Sequence, residues 1–339
     1  MKAAVVSLIN TENVKYPKFT SDIPSFEVSI VKIMIKVLIF IVFSAGIIST
    51  IIGLTIHRPK NEFSDWEARH RWFPIAYSVK NNDPVNYLKD CFDKYEVHSR
   101  IEVPCDVWLE SKNSTVNDTA MCTVIIVVAH DDYAIYIAFR GTSGDAQAME
   151  ENEAYHNLVT FIGGGKVNSY FYLAFKTLWN KGLGNAIQYL RTQYPTYEIR
   201  VTGHSLGGSL ASLAAFWLSA SGIIPPMQLR MISFGEPKVG DEIYSKTYSK
   251  YVPLSFRVVN HLDLVPHVPD YPNNITGYVQ HLTEVWYYEG SSFNKPFIIC
   301  NGNQNQNCSS SIPVPDLSLP DHDTYFANST WCLKNHQRP

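Results

Sequence analysis

The stretch YEIRVTGHSLGGSLASLAAFWLSA, residues 197–220, joins two kinds of apolar pattern through a glycine-rich turn. Residues 197–202 predict a short β-strand, whereas residues 210–220 are small and apolar and predict a helix. Between them, residues 203–207 fit the pattern G-x-S-x-G. A serine on a sharp turn from a strand into a helix is typical of a nucleophile, so Ser205 is the first candidate catalytic residue.

The glycines of this turn have a steric explanation. A nucleophile on such a turn sits in strained backbone geometry, and large neighbours would clash, so Gly203 and Gly207 leave the necessary room. The N-terminus of the following helix directs partial positive charge towards the same place. We expect the turn to aim the side chain of His204 away from Ser205.

Strands that alternate with helices predict the fold class. The predicted elements outside the turn are two β-runs within 121–142 joined by a hairpin at 130–132, a helix from Phe171 to Tyr194, and strands at Arg230–Phe234, Phe256–Val259 and Val279–Tyr288. Residues 57–120 predict short helices and irregular structure. The pattern indicates an α/β protein of the α/β-hydrolase fold, with a mostly parallel central sheet flanked by helices.

A serine needs a base that an acid orients, and in this fold the three follow in the order serine, acid, histidine. Asp263 comes just after the strand that ends near Val259, at the end of a sheet where α/β proteins place functional loops. The downstream candidates for the base are His261, His267, His281 and His322.

The positions of these histidines favour one of them. His261 and His267 are so near Asp263 in the sequence that acid and base would lie on the same loop. His281 lies in a strand-like run, which is typical of a buried core histidine. His322 lies on a polar loop near the C-terminus, where the third member is expected. The flanking Asp321 and Asp323 are sequence neighbours and poorly placed to hold its ring.

Composition excludes several other functions. The 339 residues carry a formal net charge of −3, which offers no basic surface for nucleic acid. No repeat, zinc-type spacing of Cys and His, or glycine-rich phosphate loop is present in the sequence. We therefore expect neither a metal nor a cofactor.

The apolar run at residues 37–56 has the length of a bilayer-spanning helix, about 30 Å. Counted from Met1 it is a signal anchor, and counted from Met34 it is a signal peptide. Residues 1–36 are then an N-terminal tail, predicted to be disordered, and residues 57–339 form the hydrolase domain. The protein is predicted to be membrane-anchored with an extracellular or luminal catalytic domain, or secreted.

Six cysteines, all after residue 90, fit three disulfides formed in an oxidising compartment. The alternative is six buried thiols in a cytosolic protein, against which the apolar run argues. Acceptor triplets for N-glycosylation are compatible with export and begin at Asn113, Asn117, Asn274, Asn307 and Asn328.

Four motifs in this order resemble the fungal-type (class 3) triacylglycerol lipase family, particularly its animal members of nematode type. They are AFRGT at 138–142, GHSLGG at 203–208, RVVN followed by Asp263 and VPHVP at 257–269, and DHDTYF at 321–326. HLTEVWYY at 281–288 also looks like the family's segment between acid and base. The resemblance covers roughly residues 85–332.

The resemblance implies a catalytic triad of Ser205, Asp263 and His322, in agreement with the choice made from the residues. It also implies an oxyanion hole made by Thr142, through its backbone N–H and hydroxyl, and by the backbone N–H of Leu206. By the same resemblance the cysteines pair as Cys91–Cys332, Cys300–Cys308 and Cys105–Cys122.

The segment expected to form the family's lid departs from the family pattern. Residues 143–160 read SGDAQAMEENEAYHNLVT, in which acidic residues replace most of the large apolar ones. Such a helix favours water over a lipid surface. KVNSYFYLAF at 166–175 departs as well, with Asn168 and Tyr170 where the family often has His and Gly.

These inferences predict a serine hydrolase that cleaves carboxylic esters, most of all lipids such as acylglycerols, through an acyl-enzyme. The alternatives are an esterase or phospholipase acting on a different ester, and a non-catalytic lipid-binding homologue. The intact set of catalytic motifs disfavours the last of these.

Overall fold

The computed structural model describes residues 62–105, 120–144, 147–148, 152, 154–270, 277–302 and 307–326. All of them belong to the compact unit of residues 60–339. The predicted tail, the apolar run at 37–56 and four of the glycosylation triplets (Asn113, Asn117, Asn274 and Asn328) lie outside these ranges. Within the ranges, no helix combines the length and the hydrophobicity needed to cross a bilayer.

The regular elements follow one another along the chain. The strands are β1 (Tyr95–Pro104), β2 (Met121–Ala129), β3 (Ala134–Phe139), β4 (Leu158–Thr160), β5 (Lys166–Asn168), β6 (Glu198–His204), β7 (Leu229–Phe234), β8 (Gly240–Asp241), β9 (Ser255–Asn260), β10 (Tyr278–Val279), β11 (Glu284–Tyr287) and β12 (Ile298–Cys300). The helices are α1 (Asp65–Glu67), α2 (Phe73–Ser78), α3 (Pro84–Leu88), α4 (Ser169–Leu178), α5 (Gly184–Gln193), α6 (Leu206–Ala220) and α7 (Glu242–Tyr251).

The main sheet has eight strands in the described ranges, in the order β1-β2-β3-β6-β7-β9-β11-β12. Its five central strands, β3, β6, β7, β9 and β11, run parallel to one another. The edge strands β1, β2 and β12 pair antiparallel. A smaller sheet has the order β10-β8-β5-β4. The predicted α/β class, with a mostly parallel central sheet flanked by helices, is confirmed.

The register places the carboxyl ends of the central strands side by side. Phe139 at the end of β3 pairs with Gly203 of β6, and His204 at the end of β6 pairs with Phe234 at the end of β7. Phe234 in turn pairs with Val258 near the end of β9. Loops that leave these strands therefore meet at one edge of the sheet.

Apolar side chains cover both faces of the sheet. Along β2, Val124, Ile126 and Val128 pack into the cluster that includes α4 and α6, while Ile125 and Val127 pack into the opposite cluster that includes α2. A strand buried on both faces is nearly continuous in hydrophobicity, as the sequence of β2 is.

The boundaries differ from the sequence prediction in three places. The helix predicted from Phe171 to Tyr194 is divided into α4 and α5 by a π-helical turn, Trp179–Leu183, because Gly182 has a φ of 133° that no α-helix accepts. The strand predicted at Val279–Tyr288 is divided between the small sheet and the main sheet. The region predicted to be irregular contains β1, whose many half-buried residues gave no clear alternation.

Candidate active site

Ser205 lies between β6 and α6 with a φ of 60° and a ψ of −132°. That conformation is costly for a residue with a side chain, and it persists only where the surroundings require it. A Cβ atom at Gly203 would collide with the backbone of Gly207, and one at Gly207 would collide with the carbonyl of Phe139. The two predicted glycines therefore allow β3, β6 and α6 to meet around the serine.

Asp263 and His322 form a hydrogen-bonded pair. The Nδ1 atom of His322 lies 3.1 Å from Oδ1 and 3.0 Å from Oδ2 of Asp263, across 59 residues of chain. Asp263 follows β9 and is fully buried, whereas His322 sits in the helical turn Pro320–Asp323. A carboxylate can only accept, so the Nδ1 atom carries a proton, and in the neutral ring the Nε2 atom carries the lone pair.

Further hydrogen bonds hold the Asp263 carboxylate. Oδ1 accepts from the backbone N–H of Val265 at 2.9 Å, and Oδ2 accepts from the hydroxyl of Tyr325 at 2.6 Å. Burial raises the pKa of Tyr325 well above its ordinary value, and the Asp263 carboxylate raises it further, so the phenol stays a donor. Tyr325 stands three residues after His322 in the DHDTYF motif, which is the sequence signal that could have identified it.

The serine turn and the histidine ring meet at Gly235, which the sequence analysis did not identify. The backbone N–H of Ser205 donates to the carbonyl of Phe234 at 2.9 Å, directly before Gly235. A Cβ atom at Gly235 would lie 2.7 Å from Cε1 of His322 and 2.9 Å from Oδ2 of Asp263. The Nε2 atom of His322 is buried and has no hydrogen-bond partner in the described part of the chain. The structure thus places the Asp263–His322 pair against Gly235, next to the strand end that accepts from the Ser205 backbone, and Nε2 of His322 makes no hydrogen bond to Ser205.

His204 contacts the loop that carries His322. Its Nε2 atom lies 2.8 Å from the backbone carbonyl of His322 and therefore donates to it, and the two rings are 4.4 Å apart between centroids. Burial lowers the pKa of His204 well below its ordinary value, and the neighbouring His322 lowers it further. His204 is thus a neutral imidazole that packs against the ring of His322, the candidate base.

Two of the other candidate histidines have different partners. His261 bonds to Asp321 at 2.9 Å, and the fully buried His281 bonds to Glu236 at 3.1 Å and to the carbonyl of Leu282 at 2.9 Å. Of the four candidates, His322 alone is hydrogen-bonded to Asp263 within the described ranges.

The segment after β3 lies against the serine turn. A Cβ atom at Gly141 would be 2.8 Å from the carbonyl of His204 and 3.4 Å from Cβ of Ser205. Thr142, the next residue, is therefore close to the turn, as is Leu206, the first residue of α6. Backbone N–H groups in the first turn of a helix have no intrahelical acceptor and can serve an anion.

Two of the predicted disulfides are confirmed, Cys105–Cys122 and Cys300–Cys308. The third predicted pair includes Cys332, which lies outside the described residues. The segment 143–160, predicted as a lid, is described only in part.

Residues 136–272 match the model of a protein family described as Lipase (class 3). Over these residues the chain is similar to the class 3 lipase family. It is 32% identical to a lipase of Caenorhabditis elegans, over 60% of this chain and 65% of that protein. It is also 30% identical to a lipase of Rhizopus niveus, over 68% of this chain and 58% of that protein. The chain thus spans less than two thirds of the length of either relative.

The same resemblance holds in three dimensions. Lipase II from Rhizopus niveus superimposes with a TM-score of 0.64 at 25% identity, covering 79% of this chain and 97% of that structure. Together with the mostly parallel sheet, this confirms the predicted α/β-hydrolase fold.

Proposed function

We propose that the protein is a serine hydrolase that cleaves carboxylic esters of lipids, acylglycerols above all, with Ser205, His322 and Asp263 as its triad. One observation carries the proposal: His322 is bonded to the buried Asp263 through Nδ1, and its Nε2 atom is left unpaired beside the strained Ser205 turn. The match to the class 3 lipase family and the lipase names of both relatives support the substrate class.

In the first step, Nε2 of His322 takes the proton of the Ser205 hydroxyl while Oγ attacks the ester carbonyl carbon. The carbonyl π electrons move to its oxygen and give a tetrahedral intermediate. Asp263 keeps the ring in the required tautomer and stabilises the imidazolium by its negative charge. The Tyr325 and Val265 donors fix the carboxylate in the position from which it does this.

The developing oxyanion is assigned to the backbone N–H groups of Thr142 and Leu206, with the Thr142 hydroxyl as a further donor. When the intermediate collapses, the imidazolium of His322 protonates the departing alcohol and an acyl-enzyme on Ser205 remains. Water, deprotonated by His322, then attacks the acyl carbon and releases the carboxylic acid. Ser205 regains its proton from His322, so the protein is unchanged after the cycle.

A second candidate substrate is an ester other than triacylglycerol, cleaved by the same residues in an esterase or phospholipase reaction. The observation that favours it is the acidic sequence of residues 143–160, which suits water better than a lipid surface. Rates on synthetic esters of graded chain length, as monomers and as emulsions, separate the two. A rate that rises abruptly when the ester forms an emulsion supports triacylglycerol as the substrate. A rate that is the same for monomers and emulsions supports a soluble ester.

We also propose that the catalytic unit faces an oxidising compartment, either secreted or anchored through residues 37–56. The two disulfides of the described ranges support this, since such bonds persist outside the cytosol. Digestion of intact cells with an external protease tests the anchored form whose catalytic domain is extracellular. A cell-associated protein that resists the protease until lysis contradicts it.

Labelling with a fluorophosphonate tests the nucleophile. The wild type should become covalently labelled, and Ser205→Ala should lose both the label and all turnover. Ser209→Ala is a matched control, because Ser209 is a buried serine in the first turn of α6. Its hydroxyl donates to the carbonyl of Pro237 at 3.3 Å. A folded wild type that neither labels nor hydrolyses any ester would instead support a non-catalytic lipid-binding homologue.

A further inference from the structure

Gln147 is a buried amide directly beside the proposed oxyanion donor. It lies in the segment predicted as a lid, yet its side chain is only 1% exposed. Its Oε1 atom accepts a hydrogen bond of 2.7 Å from the backbone N–H of Ser143, the residue after Thr142. A backbone N–H can only donate, so this bond also fixes which end of the amide is oxygen.

The other end of the amide is held by a rigid part of the fold. Nε2 of Gln147 donates to the hydroxyl of Tyr170 at 3.0 Å and lies 3.6 Å from each sulfur of the Cys105–Cys122 disulfide. Tyr170 is in the first turn of α4, where Oδ1 of Asn168 accepts from its backbone N–H at 2.9 Å. Gln147 therefore links the chain at Ser143 to a helix and to a crosslinked pair of strands.

The bond to Ser143 has a consequence for Thr142. The peptide unit between these two residues is planar, so fixing the N–H of Ser143 fixes the carbonyl of Thr142 in the same plane. Thr142 then has little freedom to rotate its own N–H away from the serine turn, against which Gly141 already packs. Stabilisation of an oxyanion depends on donors that are aimed before the reaction starts.

We infer that Gln147 is a positioning residue for the oxyanion donor at Thr142, held in place by Tyr170 and the Cys105–Cys122 disulfide. The inference rests on the proposed function, because it concerns the same reaction. Gln147 touches neither substrate nor Ser205 in this role. It acts through the Ser143 backbone.

The test compares an ester with its thionoester, in which sulfur replaces the carbonyl oxygen. Sulfur is a weak acceptor of N–H hydrogen bonds, so the ester-to-thionoester ratio of kcat measures how well the oxyanion donors are aimed. Gln147→Met removes the acceptor for Ser143 at similar volume. Gln147→Glu keeps an acceptor, and Tyr170→Phe removes only the hydroxyl that holds the amide. Ile187→Val, which deletes a buried methyl group on α5, controls for general loosening of the core.

In the full-length chain, Gln147→Met should lower kcat for the ester about tenfold, a part of the 10²–10³-fold lost with a whole donor, with KM changed less than about twofold. The thionoester rate should fall much less, so the ratio should drop by nearly the same factor. Gln147→Glu should restore the ratio to within about threefold of wild type, and Tyr170→Phe should lower it by about threefold. Ile187→Val should leave the ratio unchanged.

Three results would overturn the inference. The ratio could stay at its wild-type value in both Gln147→Met and Tyr170→Phe, or both substrates could slow equally, as general unfolding would cause. Gln147→Met could also raise the rates of both substrates, which would mean that Gln147 restricts substrate access and does not position Thr142. A wild type that turns over neither substrate would overturn the proposed function itself, and the two failures are thereby distinguished.

Discussion

Replacing Gly235 by alanine should disable the proposed site while leaving the protein folded. A Cβ atom there would lie 2.7 Å from Cε1 and 2.8 Å from Nδ1 of His322, where ordinary contacts begin at 3.4 Å. The ring must therefore move by about 0.7 Å, and a misplacement of about 1 Å at a reacting group can cost 10²-fold in rate. We expect kcat to fall about 100-fold, equivalent to about 2.7 kcal/mol in activation free energy.

The backbone at Gly235 adds a second cost that a control can separate. Gly235 has a φ of +60°, and alanine in this left-handed region costs about 1–2 kcal/mol of folding free energy. Gly222 has a φ of +73°, and a Cβ atom added there would meet nothing within 4 Å, so Gly222→Ala should lose the same stability and keep full activity.

The assay measures kcat and KM on a soluble ester, the rate of fluorophosphonate labelling, and urea unfolding for wild type and both variants. Gly235→Ala should slow labelling and turnover by similar factors. Activity of Gly235→Ala within about threefold of wild type, or an equal loss of activity in Gly222→Ala, would refute the contact argument.

Two further perturbations address the histidines. Asp263→Asn should lower kcat by roughly 10⁴-fold with little change in KM, because an amide no longer holds His322 in the tautomer with a free Nε2; steady-state kinetics check this, and a loss below tenfold would contradict it. Because burial keeps the pKa of His204 well below 6.5, the unfolded chain binds one more proton there as the pH falls below that value, and stability is lost towards acid. His204→Gln, which keeps a donor for the His322 carbonyl, should reduce this acid loss by about 1.4 kcal/mol per pH unit, measured by urea unfolding between pH 7 and 5.

The turn at Ser205 could be predicted from the sequence because its requirements are local. A strand, two glycines two residues either side of a serine, and a small-residue helix are all contiguous in the chain. Gly203 is required by Gly207, whose position follows from the turn itself, whereas Gly207 is required by the carbonyl of Phe139 on the neighbouring strand β3. The same locality explains why the hairpin between β2 and β3 could be predicted from its sequence.

Other parts of the site depend on residues that approach one another only in the folded chain. Gly235 and Gln147 stand in no motif that the sequence analysis recognised. The contact of Gly235 with His322 and that of Gln147 with Tyr170 come from the packing of separate elements. The division of the strand predicted at Val279–Tyr288 has a similar origin. Its two parts pair with β8 and β9, which belong to different sheets, and pairing partners do not show in hydrophobic alternation.

The sequence by itself determined the class of fold and the glycine-framed turn at Ser205, since strand and helix periods and glycine spacing are properties of neighbouring residues. Only the tertiary structure decided that His322, among four histidines, bonds to Asp263, and that Tyr325, His204 and Gly235 surround the pair. The physical reason is that the parallel register of β6, β7 and β9 aligns their carboxyl ends, which brings loops from distant parts of the chain within hydrogen-bond distance.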